Sequence, residues 1–292
     1  MTMVNATSAP VKSVSQAHPV GRIMMHVFLI FSSLIAIFPV FIMISGSFKP
    51  ITELFINSWG FPREFTVDNY VRLLNYNSGM IVHSFMNSVF ISASTTVLQL
   101  IVASMAGFAF SKYTFKGKNL LFMMFLLTMM VPGELLLTPQ FVIFSRLGWL
   151  NSYQVQIIPA VANTFAMFMC RQFMDAIPNE MLEAARVDGA GHWRIYTRMI
   201  LPTSVPTLGA LGILQFLSKW NDYLYPRIMI TKVQFKPIMV ILPTLTEGGD
   251  TSGTPYDLIL AGCTLVVIPM LIVFFCLQDK FLKSVTLGSV KG

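Results

Sequence analysis

Charge is scarce in this sequence. Asp, Glu, Lys and Arg make up 11% of its 292 residues, where a soluble globular domain carries about 25%. So few charges cannot cover a water-facing surface. With 54% hydrophobic residues and a mean hydropathy of +0.67, much of the apolar surface must meet lipid instead. The residue patterns of most active sites are missing too. No Gly-x-x-x-x-Gly-Lys-[Ser/Thr] run is present to cradle nucleotide phosphates, and there is no His-Glu-x-x-His or Gly-x-Ser-x-Gly. The four histidines, His18, His26, His83 and His192, are scattered, and none has a carboxylate partner at helical spacing within an apolar run. Three cysteines, Cys170, Cys263 and Cys276, have no metal-type spacing and read as small buried hydrophobes. These absences argue against a membrane enzyme and against a bound metal.

Ionisable residues are nearly absent from the apolar runs themselves. A transporter driven by protons or sodium carries its coupling ion on such residues, so ion-coupled transport is disfavoured. The exceptions, Glu134 beside Pro132-Gly133 and Lys219 with Asp222 at the end of a run, read as facing the membrane interface or snorkelling toward it. Uphill movement of a solute would then draw its energy from another chain.

Six runs are long and apolar enough to cross about 30 Å of hydrocarbon, which takes roughly 20 residues each. They cover about 23–48, 83–112, 118–142, 149–170, 202–217 and 258–277. The first is far longer than the apolar core of a cleaved leader and reads as a membrane anchor. Before it lies a polar segment, 1–22, and after the last lies 279–292. Lys and Arg alternate in abundance from gap to gap. With the N-terminus inside, the interior gaps hold twelve basic and five acidic residues, and the exterior gaps hold eight of each. The entire +7 excess then falls on one side, which places both ends of the chain in the cytoplasm. Residues 49–80 and 222–257 become external loops, and Glu247-Gly248-Gly249-Asp250 has the glycines and polar side chains of a solvated turn. The excess base is spread between runs rather than gathered in a patch, so nucleic acid is not an expected partner.

The longest interior gap, 171–201, is the most informative. Residues 175–189 read as a short helix: Pro178 suits a first turn, Glu180 and Glu183 complement the positive helix end, and Gly189 suits a left-handed stop. Met181, Ala184 and Ala185 share one face of small side chains that can approach a partner closely. A basic amphipathic stretch, His192–Arg198, leads back to the membrane at Leu201-Pro202. Physical chemistry alone leaves open a plain solvated connector.

The pattern Glu183-Ala184-Ala185, three residues, Gly189, nine residues, Met199, one residue, Leu201-Pro202 resembles the EAA signature of ABC-importer permeases. Met199 stands where that signature has isoleucine, a change that conserves volume. Further short matches fall in the family's order, among them Ala109-Phe110-Ser111, Trp220-Asn221-x-Tyr223 and the closing Leu287–Gly292. Together they resemble the maltose-permease type of the carbohydrate-uptake group.

The resemblance implies an all-α membrane protein with the six-helix fold of type I ABC-importer permeases. It implies a second homologous permease, two ATPase subunits that hold ATP and Mg, and an extracytoplasmic solute-binding protein, with no cofactor on this chain. Glu183, Ala184, Ala185, Asp188, Gly189, Met199, Leu201 and Pro202 would couple to an ATPase. Val290, Lys291 and Gly292 would reach between the ATPases, and Glu247–Asp250 would lie toward the binding protein. For the solute pathway, Trp220, Asn221 and Tyr223 are the first candidates, followed by Asn163 and Gln215, since sugars are held by aromatic faces and planar hydrogen bonds. Di- or oligosaccharides, acidic ones included, are the expected solutes, with polyols or glycerol phosphate derivatives as the alternative.

Overall fold

The computed structural model describes residues 19–247 and 254–289. All regular structure among them is helical. In chain order the α-helices are α1 (Pro19–Ser47), α2 (Ile51–Ile56), α3 (Asp68–Asn75), α4 (Met80–Lys112), α5 (Lys118–Thr128), α6 (Leu137–Arg146), α7 (Tyr153–Val161) and α8 (Thr164–Asp175). They continue with α9 (Asn179–Val187), α10 (His192–Ile195), α11 (Leu201–Thr203), α12 (Val205–Trp220), α13 (Leu224–Met229), α14 (Ile238–Ile241), α15 (Thr244–Glu247) and α16 (Tyr256–Ser289). Outside the described residues lie most of the N-terminal segment, Gly248, Gly249, Asp250, Val290, Lys291 and Gly292.

Helix α4 is the axis of the bundle. It packs against α8, α12 and α7, while α12 and α16 pack on each other and α1 leans on α16. Its buried face is made of small and polar side chains, Ser84, Asn87, Ser88, Ser92, Thr95 and Ser104 among them. Helices in lipid gain little from apolar burial against one another, so small residues that let backbones approach do the packing. Gly107 is the extreme case: a Cβ there would lie 2.6 Å from Cβ of Cys170 on α8.

Three of the expected crossings are uninterrupted helices of sufficient length and hydropathy, Val20–Ser47, Met80–Lys112 and Tyr256–Gln278. The others are broken. Helices Lys118–Thr128 and Gly133–Arg146 meet at 91°, and His192–Thr203 meets Val205–Trp220 at 73°. Pro132 closes the first break, as the residue before Gly133. At the second, Pro202 and Pro206 each remove an N–H from the helical ladder. A π-turn, Tyr196–Ile200, precedes that bend, and Ser204 Oγ, buried at the corner, donates to the Ile200 carbonyl at 2.7 Å. The expected crossing at 149–170 is two helices, interrupted where Asn163 Oδ1 accepts the Ala166 N–H at 2.8 Å as a helix cap.

The segments expected as external loops are more ordered than their composition suggests. Lys49, fully buried, donates to the carbonyls of Asn57 (2.6 Å) and Gly60 (2.8 Å). Glu53 accepts the backbone N–H of Arg63 (2.8 Å) and Glu64 (3.1 Å). Arg72 of α3 pairs with buried Asp257 of α16 at 3.0 Å. Residues 222–247 fold back into the bundle: Met229, Ile230, Ile238 and Ile241 are buried, and Asn87 of α4 donates to the Gln234 and Lys236 carbonyls. These backbone groups lie beside α4 because loops at this depth have to satisfy their polar atoms within the protein. Of the cysteines, Cys170 is buried as expected, whereas Cys276 is on the exposed side of α16.

Candidate functional site

Two features stand apart from the packed bundle: a capped helix at one end and a polar cavity in its side. The capped helix is α9. Asp175 belongs to α8, and Pro178 is the residue before the first turn rather than within it, so the helix is shorter than the sequence suggests. Its end is as expected. Gly189 has φ of +76°, the Ala190 N–H returns to the Ala185 carbonyl at 2.9 Å, and the Gly189 N–H returns to Arg186 at 3.0 Å. This pair of bonds satisfies the last carbonyls of the helix and needs a left-handed residue at the turn.

One side of α9 is bound to the bundle. Leu182 is buried, and Ala185 packs beside it in the cluster that contains Met174, Ile195 and Tyr196. At its start, Lys112 Nζ donates to the Ile177 carbonyl (2.5 Å) and to Asn179 Oδ1 (3.2 Å), tying the end of α4 to the helix. Tyr196 OH and Ser104 Oγ hydrogen-bond at 2.8 Å inside the bundle, and Tyr113 OH meets His192 Nδ1 at 2.7 Å nearer the surface. The other side is free: Glu183, Ala184 and Asp188 are exposed, as are Met181, Val187 and Trp193, with Val187 88% exposed. Met199 and Leu201 are half-buried against the same cluster, and Pro202 is exposed at the start of the bend. The expected coupling residues therefore lie along one stretch of chain, on α9, the turn after it, the π-turn and α11, with Leu182 and Lys112 as fastenings that sequence reasoning missed.

The cavity measures about 440 Å³ and is walled by α4, the 3₁₀ turn Gly133–Leu136, α6, α7, α12 and α13. Its polar side chains are Gln99, Glu134, Gln140, Gln156, Asn163, Gln215, Ser218, Lys219, Asp222 and Tyr225. Asn163 and Gln215, far apart in sequence, meet there: Asn163 Nδ2 donates to Gln215 Oε1 at 3.1 Å. Gln99 donates to the Ala160 carbonyl at 2.6 Å, while its Oε1 has no partner among the described residues. Lys219 and Asp222 pair at 2.8 Å, and the Tyr225 hydroxyl donates to the Val155 carbonyl at 2.9 Å.

The three leading aromatic and amide candidates are elsewhere. Trp220 is 1% exposed, stacked on Phe216 and edge-on to Phe85, with both ring centroids 5.7 Å away, so it is a core residue. Asn221 Nδ2 donates to the Leu217 carbonyl at 2.9 Å, and Tyr223 OH accepts from Arg227; neither lines the cavity. Glu134, Lys219 and Asp222, expected at an interface, are on the cavity wall instead. For Glu134 the break before Gly133 turns the chain inward beside it, and Lys219 and Asp222 lie where α12 ends and the chain turns into α13. The usable signal in the sequence was the glutamines at 99, 140, 156 and 215. An amide within an apolar run has no favourable place facing lipid.

With this geometry in view, a family model described as "binding-protein-dependent transport system inner membrane component" matches residues 99–287. The chain is 36% identical over 265 residues to an arabinooligosaccharides transport system permease protein of Halalkalibacterium halodurans, covering 90% of this chain and 94% of that one. It is 34% identical over 277 residues to the Bacillus subtilis protein of the same description, covering 94% and 97%. Among solved structures, a bacterial ABC transporter involved in import of the acidic polysaccharide alginate superposes with a TM-score of 0.82 at 22% identity. That match covers 93% of this chain and 100% of the other, a likeness of fold.

Proposed function

Because the chain belongs to the family of binding-protein-dependent transport system inner membrane components, we propose that it is the permease subunit of an ABC importer for di- or oligosaccharides. It forms half of the translocation pathway beside a second homologous permease. A solute-binding protein delivers from outside, and two ATPase subunits, which bind ATP and Mg, act from the cytoplasm. On this reading the chain crosses the inner membrane six times, counting each broken helix pair as one crossing, with both ends in the cytoplasm. It binds no nucleotide itself, and its lipid-facing helices hold it in place. The carbohydrate assignment is supported by the arabinooligosaccharide relatives, which match over nearly their whole length.

One observation carries the coupling role: α9 is a helix capped at its end, whose outward face is exposed and whose inward face is fastened to the bundle by Leu182 and Lys112. A helix of this kind transmits a push. When the ATPases close on ATP, force on the exposed face around Glu183 and Ala184 passes through Leu182 and Lys112 into α8 and α4. The cavity wall includes α4, so the same motion reshapes the pathway. Asp188 and Gly189 hold the end of the helix in its turn, and Met199, Leu201 and Pro202 carry the chain from α9 to the bend before α12.

In proteoliposomes containing the whole transporter and its binding protein, Gly189→Asp and Glu183→Lys should assemble at normal levels yet lose ATP-dependent uptake of a neutral oligosaccharide. Normal uptake by both variants would refute the coupling role.

A further inference from the structure

We propose that the cavity selects neutral polyhydroxylated solutes over anionic ones, with Glu134 as the discriminating charge and Gln99 and Gln215 as hydrogen-bonding groups. This deepens, and rests on, the carbohydrate-permease reading. The wall carries three charged side chains, Glu134, Lys219 and Asp222. Lys219 and Asp222 cancel each other at 2.8 Å, and among the described residues no basic group lies within ion-pairing distance of Glu134. The balance is one carboxylate. A solute bearing carboxylates or phosphates would meet a like charge and find no free Lys or Arg to hold it.

The hydrogen-bonding groups fit hydroxyls instead. Gln99 is 5% exposed, with its amide nitrogen held by the Ala160 carbonyl and its Oε1 unpaired among the described residues. A buried carbonyl oxygen left in this way is out of balance until a donor reaches it. Gln215 is the complement: its Oε1 is taken by Asn163, and its N–H groups donate to nothing among the described residues. One wall thus offers the Gln215 donor, and Gln99 Oε1, closed off from solvent in this conformation, becomes an acceptor once the wall opens during transport; both are neutral. A sugar hydroxyl satisfies either, because it donates and accepts at once, whereas a carboxylate or phosphate oxygen can only accept.

The test reads the cavity's charge directly in the whole transporter. Cys170, Cys263 and Cys276 are replaced by alanine, and Ser218→Cys is introduced on the cavity wall. Reaction rates are measured with the cationic trimethylammonioethyl and the anionic sulfonatoethyl methanethiosulfonates, at rest and during turnover with ATP and Mg. The rates are normalised to a small neutral thiol in solution. The cationic reagent should react severalfold faster, Glu134→Gln should abolish the bias, and Glu134→Lys should invert it. Gln99→Ala and Gln215→Ala should raise the half-saturating concentration of a neutral trisaccharide. Equal rates, faster anionic labelling, a bias indifferent to position 134, or no labelling in either state would overturn the proposal. Failure of the carbohydrate reading would appear separately, as absence of ATP-dependent neutral-sugar uptake by the unsubstituted transporter.

Discussion

A methyl group added at position 107 would have nowhere to go: its Cβ would sit 2.6 Å from Cys170 Cβ and 2.9 Å from the Arg171 backbone nitrogen. The obstruction is partly backbone, which cannot rotate aside, so α4 and α8 would have to separate. Gly107→Val should therefore destabilise the protein by about 1–3 kcal/mol or more, as overpacking does, visible as a lower melting temperature in detergent. Gly189 is glycine for a different reason. Nothing lies within 4 Å of its missing Cβ, and only its φ of +76° disfavours a side chain, least so for Asn or Asp. The role of Gly189 was legible in the sequence because a helix stop is a local event. That of Gly107 was not, since its partner is a residue on another helix. Trp220 marks the same boundary: a tryptophan next to an asparagine suits a sugar site or a core equally, and only packing decides.

Among elements, the sequence marks where helices lie better than where they break. Pro132-Gly133 was visible as an irregularity, yet its 91° turn depends on what α5 and α6 pack against. The break at Asn163 had a readable sign, an Asn in cap position after Pro159, hidden by the continuous hydropathy on either side. The element between α1 and α3 reads least well from sequence, because its order comes from buried polar contacts. There the Arg63 N–H above all, then the Asn57 amide, the Glu64 N–H and nearby Lys49, against the opposing effect of burial, hold the Glu53 carboxyl below its ordinary range. A carboxyl lowered on folding contributes stability above its unfolded value and loses it as pH falls through the lowered one. Limited proteolysis within 57–66 should accelerate on acidification through the carboxylate range. Glu53→Gln should be cut readily at every pH, and an acid response that persists in that variant would assign the effect elsewhere.

For the whole molecule, the orientation expected from the net excess of base on one side of the apolar runs can be checked directly. A reporter active only outside the cytoplasm, fused after Gly292, should give no signal, whereas the same reporter inserted after Ser58 should give a strong one. A signal from the C-terminal fusion would reverse the topology. Composition made the membrane legible, and the pattern from Glu183 to Pro202 made α9 legible. The cavity was not legible, because its wall is assembled from four separate stretches of chain, at 99, 133–140, 156–163 and 215–225. Helix α1 is exposed along nearly its whole length and joins the bundle only through its last turns, where Ser45 Oγ donates to the Gly60 carbonyl at 2.7 Å and Ser47 Oγ meets Tyr70 OH at 2.7 Å. The apolar helix spans 28 residues, about 42 Å at 1.5 Å per residue, against a hydrocarbon layer of about 30 Å. The excess length is taken up by tilt, by a bend at Pro39, or by a last turn lying among the headgroups. Whichever it is, a change in bilayer thickness would change the angle at which α1 meets Ser45 and Ser47, so the lipid itself would become a mechanical input to that end of the protein.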